Sequence, residues 1–453
     1  MNLKKKKVTV VGLGNSGFNA AVLLKSVGAI SRVTDSGDTA DIRKNAAKLK
    51  AKGIACEYGA HTLDFIKGSS LVVVSPGVPD SSAAIQWAVK DRIPIIGEME
   101  LGYRFCKGRI IAITGTNGKT TVTTLIGEMM KDAGFDTVVC GNIGNSLCGE
   151  IKRIKGKTVV VMEVSSFQLE RIQYFKPHIA IILNITNDHL DRYGNFEDYF
   201  RAKLKIYANQ DRHDRLVLNY DAENLRHLKS LPRSKVLFYG KNNSRCAAYV
   251  DAGTIVCRVG AEKRNVCAVS DLRLKGLHNL ENVIGSSLAA FLAGAGTDSM
   301  RRTIRRFRGI HHRFETVDII GGVEYINDSK GTTVDSTLRA LESCDKPVIL
   351  IAGGRDKESD FTVIRDAVKK KVKSLVLIGE ARKKIGKALG GVVRAREGRD
   401  LRDAVAIAGS LARSGEIVLL SPMCASFDMF KNYEHRGDVF VKEVNALRRR
   451  TRA

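Results

Sequence analysis

The sequence predicts an α/β protein of three domains, built from parallel sheets with helices on both faces. Three observations predict it. The runs KVTVVGLG, SRVTD, LVVVSPG, RIIAITG, TVVVMEVS, IAIILNIT, PVILIAGG, SLVLIGE and EIVLLSP are short, rich in β-branched residues and closed by Gly, Ser, Asp, Asn or Pro. Most of them lead into a longer amphipathic stretch, the alternation of buried parallel strands with crossover helices. The chain's 453 residues exceed one ordinary domain. Breaks near Ile96–Tyr103, in IPIIGEMELGY, and near Arg306–His311, in RRFRGIHHRFE, set domains at 1–98, 99–308 and 309–453. In such sheets ligands sit beyond the carboxyl ends of the strands, so the residues just after each run are the candidates.

The first run, VTVVGLGNSG, follows Lys4–Lys7, a placement that a secretory leader shares. Its apolar stretch is too short for a leader and turns into glycines, so it reads as a first strand. Gly12, Gly14 and Gly17 form a GxGxxG loop after it, and Asp35 ends the next strand, RVTD, where an acid would meet a ribose. Alone, this loop supports an NAD(P)-dependent oxidoreductase. It certifies a close approach of backbone to ligand and leaves the ligand open.

The second loop is more specific. Gly115, Thr116, Asn117, Gly118, Lys119 and Thr120 follow the strand RIIAI and open the helix-like TTVTTLIGEMM. Helix-start N–H groups and the helix dipole favour phosphate there. Lys119 can reach β- and γ-phosphates, and the Thr120 hydroxyl can bind Mg²⁺. Ile113 stands where the standard GxxxxGK[ST] loop has Gly, so the loop is a shortened GxxGKT. ATP or GTP binding is the reading.

Glu163, at the end of TVVVMEV, is placed as a Mg²⁺ ligand or water-holder. His189 follows IAIILNIT beside Asp188 and Asp191, and is a site candidate on that placement. By pattern alone Lys203 is a surface lysine. The segment from Arg212 to Lys275 is less regular, with several short β-like runs. In the last third, the stretches Asn327–Thr332, Gly353–Lys357 and Ser421–Asp428 follow three strand-like runs and suggest one binding face.

Composition narrows the class. The hydrophobic fraction is 44%, and no apolar run approaches the ~18 residues of a membrane helix, so a cytoplasmic chain without a membrane span is expected. Nine scattered cysteines without a CxxC pair argue against a disulfide framework and against zinc. The net charge is +26, with a pI near 9.7. Lysines and arginines are spread along the chain, with short clusters at Lys4–Lys7, Lys369–Lys371 and Arg448–Arg450. No zinc-finger or RNP signature accompanies them. A solvated basic surface that attracts anionic substrates is expected, and specific nucleic-acid binding is not.

GTNGKTT, EVSSFQLE, NDHLDRY, GLHNLEN, HHRFE, NDSKGTT and LLSPMCASFDMFKNYEHRGDVF occur in order along essentially the whole chain. Together they resemble the ATP-dependent Mur ligases of peptidoglycan synthesis. GTNGKT is common to that family and to folylpolyglutamate synthase. GNIG at Gly141–Gly144, EVSSFQLE and SPMCASFDMF point to the branch that adds D-glutamate, and no DNPR-like motif of the diaminopimelate- or lysine-adding branch is present. A sister ligase taking another amino acid stays as the alternative.

The resemblance implies a Rossmann-like N-terminal domain, a central P-loop-type ATP-binding domain and a Rossmann-like C-terminal domain that closes over the site. It implies a monomer acting on UDP-N-acetylmuramoyl-L-alanine, D-glutamate and ATP with Mg²⁺. The first glycine loop, with Asn15, Ser16, Asp35 and Ser36, would then hold a uridine diphosphate. Gly115 to Thr120 and Thr121 would bind ATP, with Asn279 and Asn282 on the adenine side and Arg313 and Asp328 reaching the nucleotide. Thr120 and Glu163 would bind one Mg²⁺, and His189 and Lys203, the lysine carbamylated, would serve a second. Asn142, Ser165 and Gln168 would hold the muramoyl-alanine part. Lys357, Ser426 and Tyr433 would hold D-glutamate, with Lys330 and Thr332 in the same wall. Lys119, His189, Lys203 and Lys330 carry the implied catalytic roles. Three departures stand out. Ser36 and Gly37 follow Asp35 where the family offers Thr-Arg, so an arginine for the UDP is missing. Tyr433 replaces an expected Phe. The net charge is high for the family, and the ligase chemistry does not require it.

Overall fold

The structure is a computed structural model and describes all residues except 189–191, 229–231, 275, 357 and 453, and the side chains of 450–452. It forms three α/β sheets distributed over two compact units. The first unit is Met1–Ile185, Glu197–Val269 and Asn282–Ile304; the second is Thr186–Phe196, Ser270–Glu281 and Arg305–Ala453.

In the first unit, β1 (Lys7–Val11), β2 (Ile30–Asp35), β3 (Ala55–Tyr58), β4 (Leu71–Val74) and β5 (Ile95–Gly97) form a parallel sheet in the order β3-β2-β1-β4-β5. Strand residues alternate between two apolar layers: Val8, Val10, Leu71 and Val73 enter one core, Val11, Val72 and Val74 the other. Both faces are therefore buried, which is why these strands read as unbroken apolar runs. The strand order reverses between β1 and β4. There the loops after the two strands touch, with Ser75 Oγ 3.3 Å from the Gly12 carbonyl.

The same unit holds β6 (Arg109–Thr114), β7 (Thr137–Gly141), β8 (Val159–Glu163), β9 (Ile179–Ile182), β10 (Arg215–Asn219), β11 (Lys235–Tyr239), β12 (Ala248–Asp251), β13 (Thr254–Val259) and β14 (Glu262–Ala268). Their order is β14-β13-β12-β11-β10-β9-β6-β8-β7, parallel except that β12 to β14 form an antiparallel meander. That meander and β10–β11 are the irregular stretch between Arg212 and Lys275. The order reverses around β6, which pairs with β8 on one side and β9 on the other.

The second unit carries β15 (Glu315–Ile320), β16 (Val323–Asn327), β17 (Val348–Gly353), β18 (Val372–Ile378), β19 (Arg394–Glu397) and β20 (Ile417–Leu420), in the order β15-β16-β20-β17-β18-β19. Five of the strands are parallel, again with alternate residues in two cores. β15 is antiparallel to β16 across Gly321 and Gly322, at φ +58° and +77°. Two left-handed residues make the hairpin turn whose twist matches the strands. All nine runs named from the sequence are strands.

Candidate active site

β6 delivers Gly115 at the central reversal of strand order, where an α/β sheet opens a crevice. Helix Lys119–Asp132 begins immediately after, with Gly118 as its N-cap at φ +84°. A Cβ at Gly118 would lie 2.5 Å from Asn282 Oδ1, so both the turn and the neighbouring side chain demand glycine. Asn184, just beyond β9, clamps the loop. Its carbonyl accepts from Thr116 N–H and its Oδ1 from Asn117 N–H, both at 2.8 Å, and its Nδ2 donates to the Asn117 carbonyl at 3.2 Å.

Two lysines converge on this loop. Lys119 Nζ donates to the carbonyls of Gly115 (2.9 Å) and Thr116 (2.8 Å). Lys203 Nζ, on helix Phe196–Leu204, donates to the same Gly115 carbonyl at 2.8 Å and lies 4.6 Å from the centre of the Tyr199 ring. The Tyr199 hydroxyl is 3.2 Å from Thr116 Oγ1. Lys203 is only 2% exposed, so the surface reading that its pattern favoured fails. Burying an ammonium is costly unless a nearby group justifies it.

Glu163 ends β8 beside Ile113 of β6 and is 2% exposed. Its Oε1 accepts from Asn142 Nδ2 at 2.8 Å, and its backbone carbonyl from Asn142 N–H at 2.9 Å. Its Oε2 is buried without a hydrogen-bond partner among the described residues. A buried carboxylate oxygen without a donor is unfavourable by itself. An oxygen-seeking dication would offset that cost, and the Thr120 hydroxyl at the helix start is a second oxygen of the right chemistry. The donor set therefore fits Mg²⁺. Among the described residues no three His, Cys, Asp or Glu side chains converge as a metal cluster.

Ser165 and Gln168 form a capping box at helix Ser166–Glu170: Ser165 Oγ accepts from Gln168 N–H, and Gln168 Oε1 from Ser165 N–H at 3.0 Å. This orders the segment directly after Glu163. Asn142 is thus brought to Glu163, while Ser165 and Gln168 engage each other.

At the first glycine loop, Asp35 Oδ2 accepts from Leu13 N–H at 2.6 Å and Oδ1 from Gly37 N–H at 2.7 Å. The acid braces the loop that it follows. Asn15 starts helix Asn15–Ser26 and accepts from Asn19; Ser36 is exposed. A Cβ at Gly17 would strike the Gly12 carbonyl at 1.8 Å, so the third glycine serves helix–loop contact.

In the second unit, β16, β20 and β17 are adjacent, and the three polar stretches after them meet. Ser421 Oγ donates to Asp328 Oδ2 at 2.8 Å, and Phe314 N–H to Asp328 Oδ1 at 3.2 Å. Burial raises Asp328 to a pKa of about 7, against the opposing pull of Ser421 and of the Arg313 and Arg436 charges. Lys330 Nζ lies 5.1 Å from the centre of the Tyr433 ring, and the Tyr433 carbonyl accepts from Ser329 Oγ at 2.8 Å. Thr332 is half-buried and Ser426 is 2% exposed.

Sequence reasoning missed the hub of this face. Arg436 is fully buried and donates to Ser329 Oγ (3.0 Å), the Ser329 carbonyl (2.7 Å) and the Cys424 carbonyl (3.2 Å), tying two of the loops together. Burial lowers it to about 10. Its only signal was its place in NYEHRGDVF. Asn184 was likewise passed over, though it lies within the quoted run IAIILNIT. Asn279 and Asn282 lie on helix Leu277–Leu292, each 7% exposed. His189 and Lys357 lie outside the described residues.

Comparison with known proteins places the chain in a family. Residues 6–97 match the Mur ligase MurD-like N-terminal domain, 113–290 the Mur ligase middle domain and 312–424 the Mur ligase glutamate ligase domain. The chain is 43% identical over 448 residues to a UDP-N-acetylmuramoylalanine--D-glutamate ligase from Pelotomaculum thermopropionicum, covering 98% of each chain. It is 41% identical to the enzyme of that name from Koribacter versatilis, over 99% of each. Its fold is similar to a UDP-N-acetylmuramate-alanine ligase from Thermotoga maritima, with a TM-score of 0.61 at 20% identity over 98% of this chain and all of that one. A MurF ligase from the same organism, solved with ADP, gives a TM-score of 0.61 at 14% identity over 98% and 96%. Three domain matches in sequence and full-length identity above 40% leave one conclusion: the chain belongs to the Mur ligase family.

Proposed function

We propose that the chain is an ATP-dependent amide ligase that joins D-glutamate to UDP-N-acetylmuramoyl-L-alanine in cytoplasmic peptidoglycan precursor synthesis, as a monomer. The observation that carries this reading is full-length identity of 40–43% to relatives that bear the D-glutamate ligase name. The phosphate loop supports ATP as co-substrate, and Glu163 with its buried unpartnered oxygen supports a magnesium requirement. We set the domains at 1–98, 99–308 and 309–453.

The reaction begins when the alanyl carboxylate attacks the γ-phosphorus of ATP. A carboxyl O–P bond forms, the bridging O–P bond to ADP breaks, and an acyl phosphate results. The D-glutamate amine then attacks the acyl carbon, loses a proton, and expels inorganic phosphate. Several anions must meet, so the protein mainly positions them and offsets their charge. The first N–H groups of helix Lys119–Asp132 lack partners within the helix and favour phosphate. Lys119 is held at the loop by two carbonyls and can turn to the transferring phosphoryl group. Glu163 and Thr120 would hold one Mg²⁺, and His189 and Lys203 would serve a second, so that these residues would place positive charge against the phosphate oxygens. Lys203 as a carbamate would offer oxygens in place of an ammonium. Asn142, Ser165 and Gln168 are assigned to the muramoyl-alanine part, and Asn15, Ser16, Asp35 and Ser36 to the uridine diphosphate. Asn279, Asn282, Arg313 and Asp328 are assigned to the nucleotide, and Lys330, Thr332, Lys357, Ser426 and Tyr433 to the amino-acid wall.

Phosphate release from ATP and Mg²⁺ tests the reading, measured with UDP-N-acetylmuramoyl-L-alanine, with and without D-glutamate, while NAD(P)H absorbance is followed. Release that needs both substrates is the expected result. NAD(P)H consumption without release would overturn it.

A further inference from the structure

All five strands of the first sheet are parallel, so the turns that precede them gather at one edge. That edge is opposite the glycine loop and Asp35, which follow the strands. Lys4, Lys5 and Lys6 precede β1 and are exposed. Lys5 N–H bonds the Gly28 carbonyl and Ile30 N–H the Lys6 carbonyl, both at 2.8 Å, so the turn before β2 lies beside them. Lys25 reaches the carbonyl of Lys52, ahead of β3. Lys7 Nζ donates to the carbonyl of Lys67, ahead of β4, at 2.9 Å. Val72 N–H bonds Pro94 at 2.9 Å, which brings in the turn with Lys90 and Arg92. Among these turn residues the single carboxylate is Asp91; beside them the exposed Asp64 acts on Lys7, and the buried Glu100 pairs with Arg104 at 2.8 Å.

Apolar side chains stand out among the cations. Ile30 is 60% exposed, Val89 58% and Met1 48%. Arg104 lies 3.8 Å from Met1 Sδ and stacks 4.8 Å from the centre of the Tyr174 ring, itself 65% exposed. These apolar groups are spread along the same edge as the cations, from the start of β2 to the turn before β5. Sequence-tolerant nucleic-acid surfaces use successive aromatic platforms, and one tyrosine does not make one. Lysines around exposed aliphatic and tyrosyl groups are the chemistry of an anionic bilayer interface, where cations meet headgroups and apolar tips enter the acyl boundary.

We propose that the edge of the first sheet formed by the turns before β1, β2, β3, β4 and β5 docks the protein on an anionic lipid surface. Such docking directs the carboxyl ends of those strands, where ligands bind in this fold, away from the bilayer. It also gives a use to positive charge that the ligase chemistry leaves unexplained.

The test is co-sedimentation of the full chain with vesicles of phosphatidylglycerol and phosphatidylcholine, against vesicles of phosphatidylcholine alone. Binding is expected to the first only and to weaken as salt rises. The triple variant Lys4→Glu, Lys6→Glu, Lys67→Glu is expected to bind at least about tenfold more weakly, since each cation near the surface contributes about fivefold. A control of equal charge, Lys369→Glu, Lys370→Glu, Lys387→Glu, is expected to bind within about threefold of the parent. Ile30→Ser is expected to weaken binding at unchanged charge. Phosphate release is expected to be unaltered in every variant, which also reports folding. Equal losses in both triple variants would overturn the proposal, leaving net charge alone as the cause. So would binding of a homopolymer RNA without binding of the anionic vesicles.

Discussion

At the residue scale the site depends on a few groups that the fold holds in costly environments. Lys119 and Lys203 share one carbonyl acceptor, yet their assigned roles differ. Lys119→Ala removes a charge set against phosphate oxygens, and kcat is expected to fall by about 10²–10³ or more with no chemical rescue. Lys203→Ala is expected to fall similarly but to recover in part with acetate or formate, whose oxygens would replace a carbamate. Near-parent turnover of Lys203→Ala would remove the carbamate role. Asp328 makes a pH prediction. Its folded pKa of about 7 lies above the unfolded value of 3.8, so the folded chain binds that proton more tightly. The contribution is fully present below about 4 and is lost as pH rises through about 7. Asp328→Asn does not titrate. Its thermal midpoint relative to the parent is therefore expected to climb between these limits and then level. A difference that stays flat with pH would show that Asp328 is not shifted upward.

At the element scale, strand–loop–helix units carry the chemistry. The central loop works because Gly118 can take φ +84° where a neighbouring asparagine leaves no room for a Cβ. Gly118→Ala is expected to destabilise the chain by on the order of 1–3 kcal/mol and to weaken ATP binding by tenfold or more, measured by nucleotide titration. Unchanged ATP affinity would mean the loop does not hold phosphate. The sequence made this loop legible, since two glycines and Lys-Thr between a strand and a helix have few other uses. It made Arg436 illegible: an arginine in the helix Tyr433–Arg452 looks like any solvated cation until two loops distant in sequence fold onto it. Lys203 was hidden for the same reason, because burial is a property of what surrounds a residue.

At the scale of the whole molecule, amino-acid choice rests on likeness along the entire chain rather than on any single contact. With D-glutamate, L-lysine, meso-diaminopimelate and L-alanine offered separately, phosphate release is expected with D-glutamate at least about 10²-fold above the others. Greater release with another amino acid would move the chain to a sister activity. The first and last sheets are each sealed on both faces by their own apolar layers, and among the described strands antiparallel pairing is found at the sheet margins, in β12 to β14 and β15 to β16.

The sequence by itself determined the α/β class, nine of the strands, the strand–glycine loop–helix unit at Gly115–Thr120 and the family, because each is written in local pattern: apolar period, glycine spacing and motif order. Tertiary structure alone decided that Lys203 is buried, that Glu163 Oε2 is one of three buried carboxylate oxygens without a donor among the described residues, and that the loops after β16, β20 and β17 share one face. It also decided that lysines scattered through the first domain collect at one sheet edge. Strand order brings residues distant in sequence together, and desolvation then acts on the neighbours so created, which no local pattern encodes.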